Sequence, residues 1–474
     1  MFDLCDNCVR TPFSTRREFL ARLGLGFGAL GLATLLREDC LLGAEADASL
    51  SPLAPKVPSF PGKAKRVIHI FASGAPSQVD TFDPKPALAR HEGQSIGGRG
   101  VAMPSPFRFQ RYGRSGIEVS EVFPNLARHV DEMAVIRSMF TDVPAHELAT
   151  VMMNTGSRQI PKPSVGSWAV YGLGTENQNM PGFISLHSGG GLPPGGSPNW
   201  GAAFLPGVYQ GTSINTAAGG VDQMIENIRS PYVSTAEQRR QLDLIQQLNE
   251  LHAQDLQKDA QLEARIQAYE IAFKMQAAAS EAFDLSREPE KTQELYTKTA
   301  QGRQVLIARR LLECGVRFVQ VWAGGWDHHQ DLEQRLPERA RDIDQPLAAL
   351  LTDLKERGLL ESTLVIWGGE FGRTPTKDRN GNANPGRDHN AKGFSLWMAG
   401  GGVKGGTVYG ATDELGAQAV ENPVHVHDLH ATILRLLGLD HNSLTYRYNG
   451  RDFHLTDVAG SSVTTVNVVK GLMA

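Results

Sequence analysis

Short, fully apolar runs punctuate the chain, and each closes on a polar, glycine-containing loop. Arg66-Val-Ile-His-Ile-Phe71 is the first, and Met133–Ile136, Phe183–Leu186, Val316–Trp322, Thr363–Trp367 and Phe394–Met398 follow. Runs of this length, rich in β-branched and aromatic residues, predict buried strands. Helical periodicity lies between several of them. Ile343, Leu347, Leu350, Leu351 and Leu354 recur at helical spacing, Gly358 ends the pattern, and Thr363-Leu-Val-Ile-Trp367 follows. Strands apolar on both faces, alternating with helices, predict an α/β fold with a mainly parallel sheet flanked by helices. Residues 234–313 break the alternation, being rich in Glu, Gln, Lys, Arg and Ala, with Ser234-Thr-Ala-Glu237 as a capping box. They predict an inserted helical subdomain that serves as a packed lid or dimer surface, its last helix feeding the strand at Val316.

The N-terminus has a different pattern. In residues 14–36, Arg16-Arg17 directly precedes an apolar stretch rich in Gly and Ala, and Ala44-Glu-Ala46 and Ala46-Asp-Ala48 follow as small-residue cleavage options. This resembles a twin-arginine export signal. A membrane helix would need about 20 consecutive apolar residues, and Arg22 interrupts the run. The expected organisation is therefore a signal and cleavage region at 1–48, a Pro-rich linker at 49–62 and one domain at 63–474, periplasmic or secreted, with the twin-arginine translocase as a partner during export. The GxGxxG at Gly26–Gly31 has no strand before it and is set aside as a nucleotide motif, and the lone CxxC at Cys5 and Cys8 makes no zinc site.

Composition narrows the function. With 41% hydrophobic and 21% charged residues over 474 positions, the chain is long and apolar enough for a large core. Its 47 basic and 51 acidic residues gather into no block, which argues against a nucleic-acid partner. Of four cysteines only Cys314 lies in the body of the chain, so no disulfide framework is expected.

Ligands of open α/β sheets bind beyond the carboxyl ends of the strands, and here the residues at those ends are polar. Ser77-Gln-Val-Asp80-Thr-Phe-Asp83 follows the first strand, and Asp327-His328-His329-Gln-Asp331 follows Val316–Trp322. Glu370-Phe-Gly-Arg373 follows Thr363–Trp367, and Arg387-Asp388-His389-Asn390 precedes Phe394–Met398. Four such loops on one rim would bring together carboxylates and imidazoles without thiolates, the donor set of a binuclear divalent-metal site. Structural roles compete: Asp80 or Asp83 as a cap or Asx turn, and Asp388 as a binder of backbone amides. Only one of the neighbours His328 and His329 is expected to face a metal. His425, His427 and His430, which run from an edge strand into a helix at Asp428–Leu437, are expected in surface or packing roles.

The spacing of Asp80, of Asp327 with His329, of the Thr-Leu-Val-Ile strand ending in Gly-Gly-Glu-Phe-Gly-Arg, of Asp388-His389 and of Asp428–Gly438 resembles the alkaline phosphatase and sulfatase superfamily. More narrowly, Pro76–Pro86, Gly325-Trp-Asp-His-His and Glu370-Phe-Gly-Arg-Thr are similar to the exported, planctomycete-type domain-of-unknown-function family 1501, from roughly residue 60 to the end. The resemblance implies an alkaline-phosphatase-like fold and metal-dependent hydrolysis of phosphate or sulfate esters, a sulfated or phosphorylated glycan being one candidate substrate. It implies Asp80 on one metal and Asp327 with His329 on another, Glu370 in place of a carboxylate ligand, His389 as the late histidine, and Asp388 as a ligand or an orienting neighbour. Zinc, manganese and calcium all remain open. The nucleophile position of the superfamily, a helix N-terminus after an early strand, maps onto Arg137–Thr150, which offers Thr141 and Ser138, with His146 as ligand or substrate contact. Arg373 is expected to balance charge on the transferred group, and the absence of Cys-x-Pro-x-Arg excludes a formylglycine. There are departures: Asp-x-His where the superfamily often has Asp-x-x-x-His, and Phe371 where an imidazole usually stands. They keep open a second reading, a non-catalytic metal-containing binding or assembly protein of the cell envelope that retains the fold.

Overall fold

The computed structural model describes residues 51–474 apart from 97–99, 159–161, 190, 379–383 and most of 219–280. The twin-arginine segment, the GxGxxG and the Cys5/Cys8 pair lie outside the described residues, as does most of the expected helical insertion. The described end of that insertion is helical, at Glu290–Leu295 and in α3 (Ala300–Glu313).

All six predicted apolar runs are strands of one nine-stranded sheet. They are β1 (Arg66–Phe71), β2 (Met133–Phe140), β3 (Phe183–His187), β5 (Phe318–Trp322), β6 (Thr363–Gly368) and β9 (Phe394–Ala399). The shorter β4 (Thr212–Asn215) and β10 (Thr407–Tyr409) close the two ends, and β11 (Val424–His425) also pairs with β2. The order is β10-β2-β9-β6-β1-β5-β3-β4. Every pairing is parallel except those of β9, which runs antiparallel to β2 and β6. The fold is thus mixed α/β with a mainly parallel central sheet.

The period of two along each strand divides the core into two layers. Ile68 and Ile70 of β1, with Val365 and Trp367 of β6, pack under α3 and α4 (Leu332–Glu356). Val67 and Phe71, with Leu364 and Ile366, pack on the opposite face under α1 (His146–Thr155), α2 (Val165–Leu173) and α5 (Val426–Leu436). Since β1 lies centrally and β9 runs the other way, the carboxyl ends of β1, β2, β5 and β6 share one rim with the amino end of β9. A further hairpin, β7 (Gly372–Lys377) with β8 (Arg387–Asn390), leaves β6 and returns to that rim.

Of the two roles expected for the late histidines, packing is the one found. His425, His427 and His430 are all buried, and His425 caps α5, its Nδ1 accepting from His427 N at 3.3 Å while Asp428 Oδ2 accepts from His425 N at 3.0 Å. Burial holds the imidazoles of His69 and His427 at pKa values of about 3 and that of His430 at about 4. These side chains stay neutral in the folded protein but take protons in the unfolded chain below the ordinary value of 6.5. Their contribution is complete above that value and is lost as the pH falls from 6.5 toward 4, by roughly 1.4 kcal/mol per histidine per pH unit. The urea midpoint is therefore expected to drop between about pH 7.5 and about pH 5; equal midpoints would contradict the burial of neutral imidazoles.

Candidate metal centre

Loops with little freedom build the centre. β5 runs into Trp326, whose buried indole N–H donates to Ala323 O at 2.8 Å and whose ring packs on Phe123 and Trp367, so the following Asp327 is fixed at the rim. Gly74, beyond β1, has φ +103, and a Cβ there would come within 2.7 Å of Asp327 N, so only glycine lets the two loops approach this closely. Glu370 stands two residues beyond β6 and is wholly buried; its Oε1 accepts from Gly74 N at 2.9 Å. His146 is the first residue of α1, and His389 reaches the rim because the β7–β8 register places it opposite Arg373.

Three imidazoles meet at one carboxylate oxygen. Asp327 Oδ1 lies 3.0 Å from His329 Nε2, 3.2 Å from His146 Nε2 and 3.6 Å from His389 Nε2, and the two nitrogens of His329 and His389 are 3.0 Å apart. The donor atoms of these four residues all lie within 4.8 Å of one another. The outward nitrogen of each ring faces an acceptor: His146 Nδ1 meets Glu370 Oε1 at 2.5 Å, His389 Nδ1 meets Pro144 O at 2.9 Å, and His329 Nδ1 meets the Asp378 carboxylate. A neutral imidazole that donates from Nδ1 in this way turns an Nε2 lone pair inward. Arg373 Nη1, which can only donate, sits 3.4 Å from His329 Nε2 and fits that assignment.

Lone pairs facing a carboxylate repel one another unless positive charge lies among them. Glu370 Oε2 is buried without a hydrogen-bond partner, and His146 Nε2 faces Asp327 Oδ1 at 3.2 Å. The electrostatics agree. Burial lowers the His146 pKa, but the carboxylates of Asp327 and Glu370 outweigh it and raise the imidazole to about 9. Burial would raise Asp327, yet His146, His389 and Arg373 hold its carboxyl far below the usual range. The arrangement fits a divalent cation, with Glu370, Asp378 and the Pro144 carbonyl orienting its imidazole ligands from behind. Phe371 packs its ring, tilted, 4.8 Å from both His146 and His389 and lines that side of the centre with hydrocarbon.

The rim thus gathers Asp327, His329, His389 and His146, with Glu370 in contact, and leaves other candidates aside. Asp80 is not brought to the cluster: Arg387 Nε and Nη2 donate to its two oxygens at 2.6 and 3.0 Å, and Ser77 Oγ adds a third bond. Asp83 is held by Lys85 and Thr412. Arg373 is fully buried and bonded to Ala75 O, Gly74 O, Arg387 O and Asp327, so it braces Asp327 and does not stand free for a transferred group. Asp388 is exposed, accepts from His389 N at 2.7 Å, and groups with His329 and Asp378 beside the main cluster. His328 is buried, its pKa lowered to about 4 by burial and by Arg373, which makes it the structural member of the pair. Ser138, in β2, donates to Asn422 O, and Thr141 directly follows that strand, five residues before the helix N-terminus that His146 occupies. Asp378 was not foreseen. The Asn380-Gly381 dipeptide between β7 and β8 is a hairpin signal that would have predicted the strand reversal and drawn attention to Asp378.

A family model described as "Protein of unknown function (DUF1501)" matches residues 64–466. Among curated proteins nothing matches. Similar solved structures include Ps i-CgsB (12% identity, 80% of this chain and 72% of that one, TM-score 0.37). The alkaline phosphatase of the Antarctic bacterium TAB5 (10%, 79% and 98%, TM-score 0.35) and the lipoteichoic acid synthase LtaP of Listeria monocytogenes (13%, 87% and 80%, TM-score 0.37) are also similar.

Proposed function

The chain belongs to the DUF1501 family, whose function is unknown, and from that premise we propose that it is an exported, metal-dependent hydrolase of phosphate or sulfate esters. The observation that carries the proposal is the meeting of the His146, His329 and His389 Nε2 atoms at Asp327 Oδ1. Asp327, His146, His329 and His389 would hold one divalent cation, and this set, rich in imidazole and poor in carboxylate, suits zinc or manganese better than calcium. When bound, such a cation polarises an ester oxygen and lowers the pKa of water at neutral pH.

The protein's own groups have distinct tasks. Glu370 and Asp378 fix two of the imidazole tautomers, and the Pro144 carbonyl fixes the third. The buried Arg373 holds the half-exposed Asp327 in place through an ion pair, and the Phe371 ring packs against His146 and His389. The test is hydrolysis of aryl phosphate, phosphodiester and sulfate esters by protein reloaded with zinc or manganese. Turnover that chelation removes is expected, and metal-loaded protein inert toward all three would contradict the proposal. Export rests on Arg16-Arg17 ahead of the apolar stretch. Changing both to lysine should hold the protein in the cytoplasm; unaltered export of that variant would contradict a twin-arginine route.

A further inference from the structure

The loop after β1 carries, besides Asp80 and Asp83, another buried polar side chain, that of Gln78, which opens the helical turn Gln78–Thr81 and is only 1% exposed. Its amide is fully engaged with the β7–β8 hairpin and its surroundings. Oε1 accepts from Arg373 N at 2.8 Å, while Nε2 donates to Arg373 O at 2.7 Å and to Gly416 O at 3.1 Å. One side-chain amide thus grips both backbone groups of a single residue 295 positions away, as a neighbouring strand would. The approach is close. A Cβ on the preceding Gly372 would come within 2.5 Å of Gln78 Oε1, so glycine there lets the amide reach β7.

The residue that Gln78 grips is the one on which two of the four cation-binding side chains depend. The Arg373 guanidinium donates to Asp327 Oδ1, and the β7–β8 register sets Arg373 opposite His389. Ala75 O and Arg387 O accept from Arg373 Nε and Nη1 at 3.0 and 3.1 Å. These bonds fix the far end of the arginine side chain, and Gln78 fixes its root. The aim of Asp327 and the place of His389 on the rim both refer to one buried amide. Contacts behind the ligands matter to a metal site because they orient the donor atoms.

We infer that Gln78 is a positioning residue of the metal centre, aligning Asp327 through the Arg373 guanidinium and His389 through the β7–β8 pairing. The inference rests on the reading of Asp327, His146, His329 and His389 as cation ligands. Glutamine suits the place better than its relatives. Asparagine is one methylene short, an ionised glutamate can accept from Arg373 N but has no hydrogen for the two carbonyls, and methionine fills the space without bonds.

The experiment is titration of the full-length chain with cobalt(II), read by visible absorption, in wild type, Gln78→Met, Gln78→Glu and Leu351→Ala. Leu351 is fully buried near the C-terminal end of α4, so its alanine form controls for lost stability, which thermal melting measures. Gln78→Met should bind cobalt about tenfold more weakly, the scale of losing a contact behind a ligand, and should show an altered absorption band. Gln78→Glu keeps the bond from Arg373 N and should fall between it and the wild type; it carries the test if the methionine form does not fold. Leu351→Ala should lose stability and keep the wild-type affinity and band. An unchanged affinity and band in a folded Gln78 variant, or equal weakening in Leu351→Ala, would overturn the inference while leaving the metal centre standing. A wild type that takes up no cobalt would overturn the metal centre and this inference with it.

Discussion

Replacing Asp327 with alanine should strip the protein of divalent metal and lower ester hydrolysis by at least about a hundredfold. Loss of an orienting partner alone typically costs ten- to a hundredfold, and Asp327 Oδ1 is the atom on which His146, His329 and His389 converge. The alanine change also leaves the buried Arg373 guanidinium without its carboxylate, so some loss of stability accompanies it. Asp327→Asn separates the two effects, because it preserves shape and hydrogen bonding while removing the charge. Metal content and turnover should fall in both variants, with the thermal midpoint falling mainly in the alanine form. Retention of metal by a folded Asp327→Asn protein would show that the imidazoles bind without it.

Arg387→Met is expected to destabilise the protein by about 3–5 kcal/mol, the range for breaking a fully buried ion pair from one side. Arg387 and Asp80 are both completely buried, and the guanidinium meets both carboxylate oxygens. Methionine fills similar space but leaves the Asp80 charge with only the Ser77 hydroxyl. The double variant Asp80→Asn with Arg387→Met should recover part of that loss, since a neutral amide needs no counter-charge. Urea unfolding reads both effects. A single variant as stable as wild type would mean that the pair contributes nothing. Because β8 carries His389 two residues after Arg387, the single variant should also bind metal less tightly.

The pair explains what the amino-acid pattern could and could not reveal. Strands such as Thr363-Leu-Val-Ile-Trp367 are apolar on both faces and need no partner to be recognised. The rim was legible too, since loops bearing Asp327, His329, Glu370 and His389 each follow or precede such a strand. Strand direction was not legible: the apolar run of β9 reads identically whether it lies parallel or antiparallel, and only its neighbours reverse it. Nor could spacing show that Asp80 pairs with an arginine 307 residues away. The surroundings of Arg373 were hidden for the same reason, as its donors go to backbone carbonyls that three-dimensional folding brings near. His146 was legible as a ligand or substrate contact near a helix N-terminus, but not its contacts with Glu370 and Asp327, which only the fold brings together.

Elemental analysis of the full-length protein, after zinc or manganese loading and gentle removal of free metal, bears most directly on the cluster. Near-stoichiometric metal in the wild type, falling sharply in Asp327→Asn and in His389→Ala, is the predicted result. Less than about a tenth of an equivalent in the loaded wild type, or equal content in all three proteins, would contradict a cation held by these four side chains.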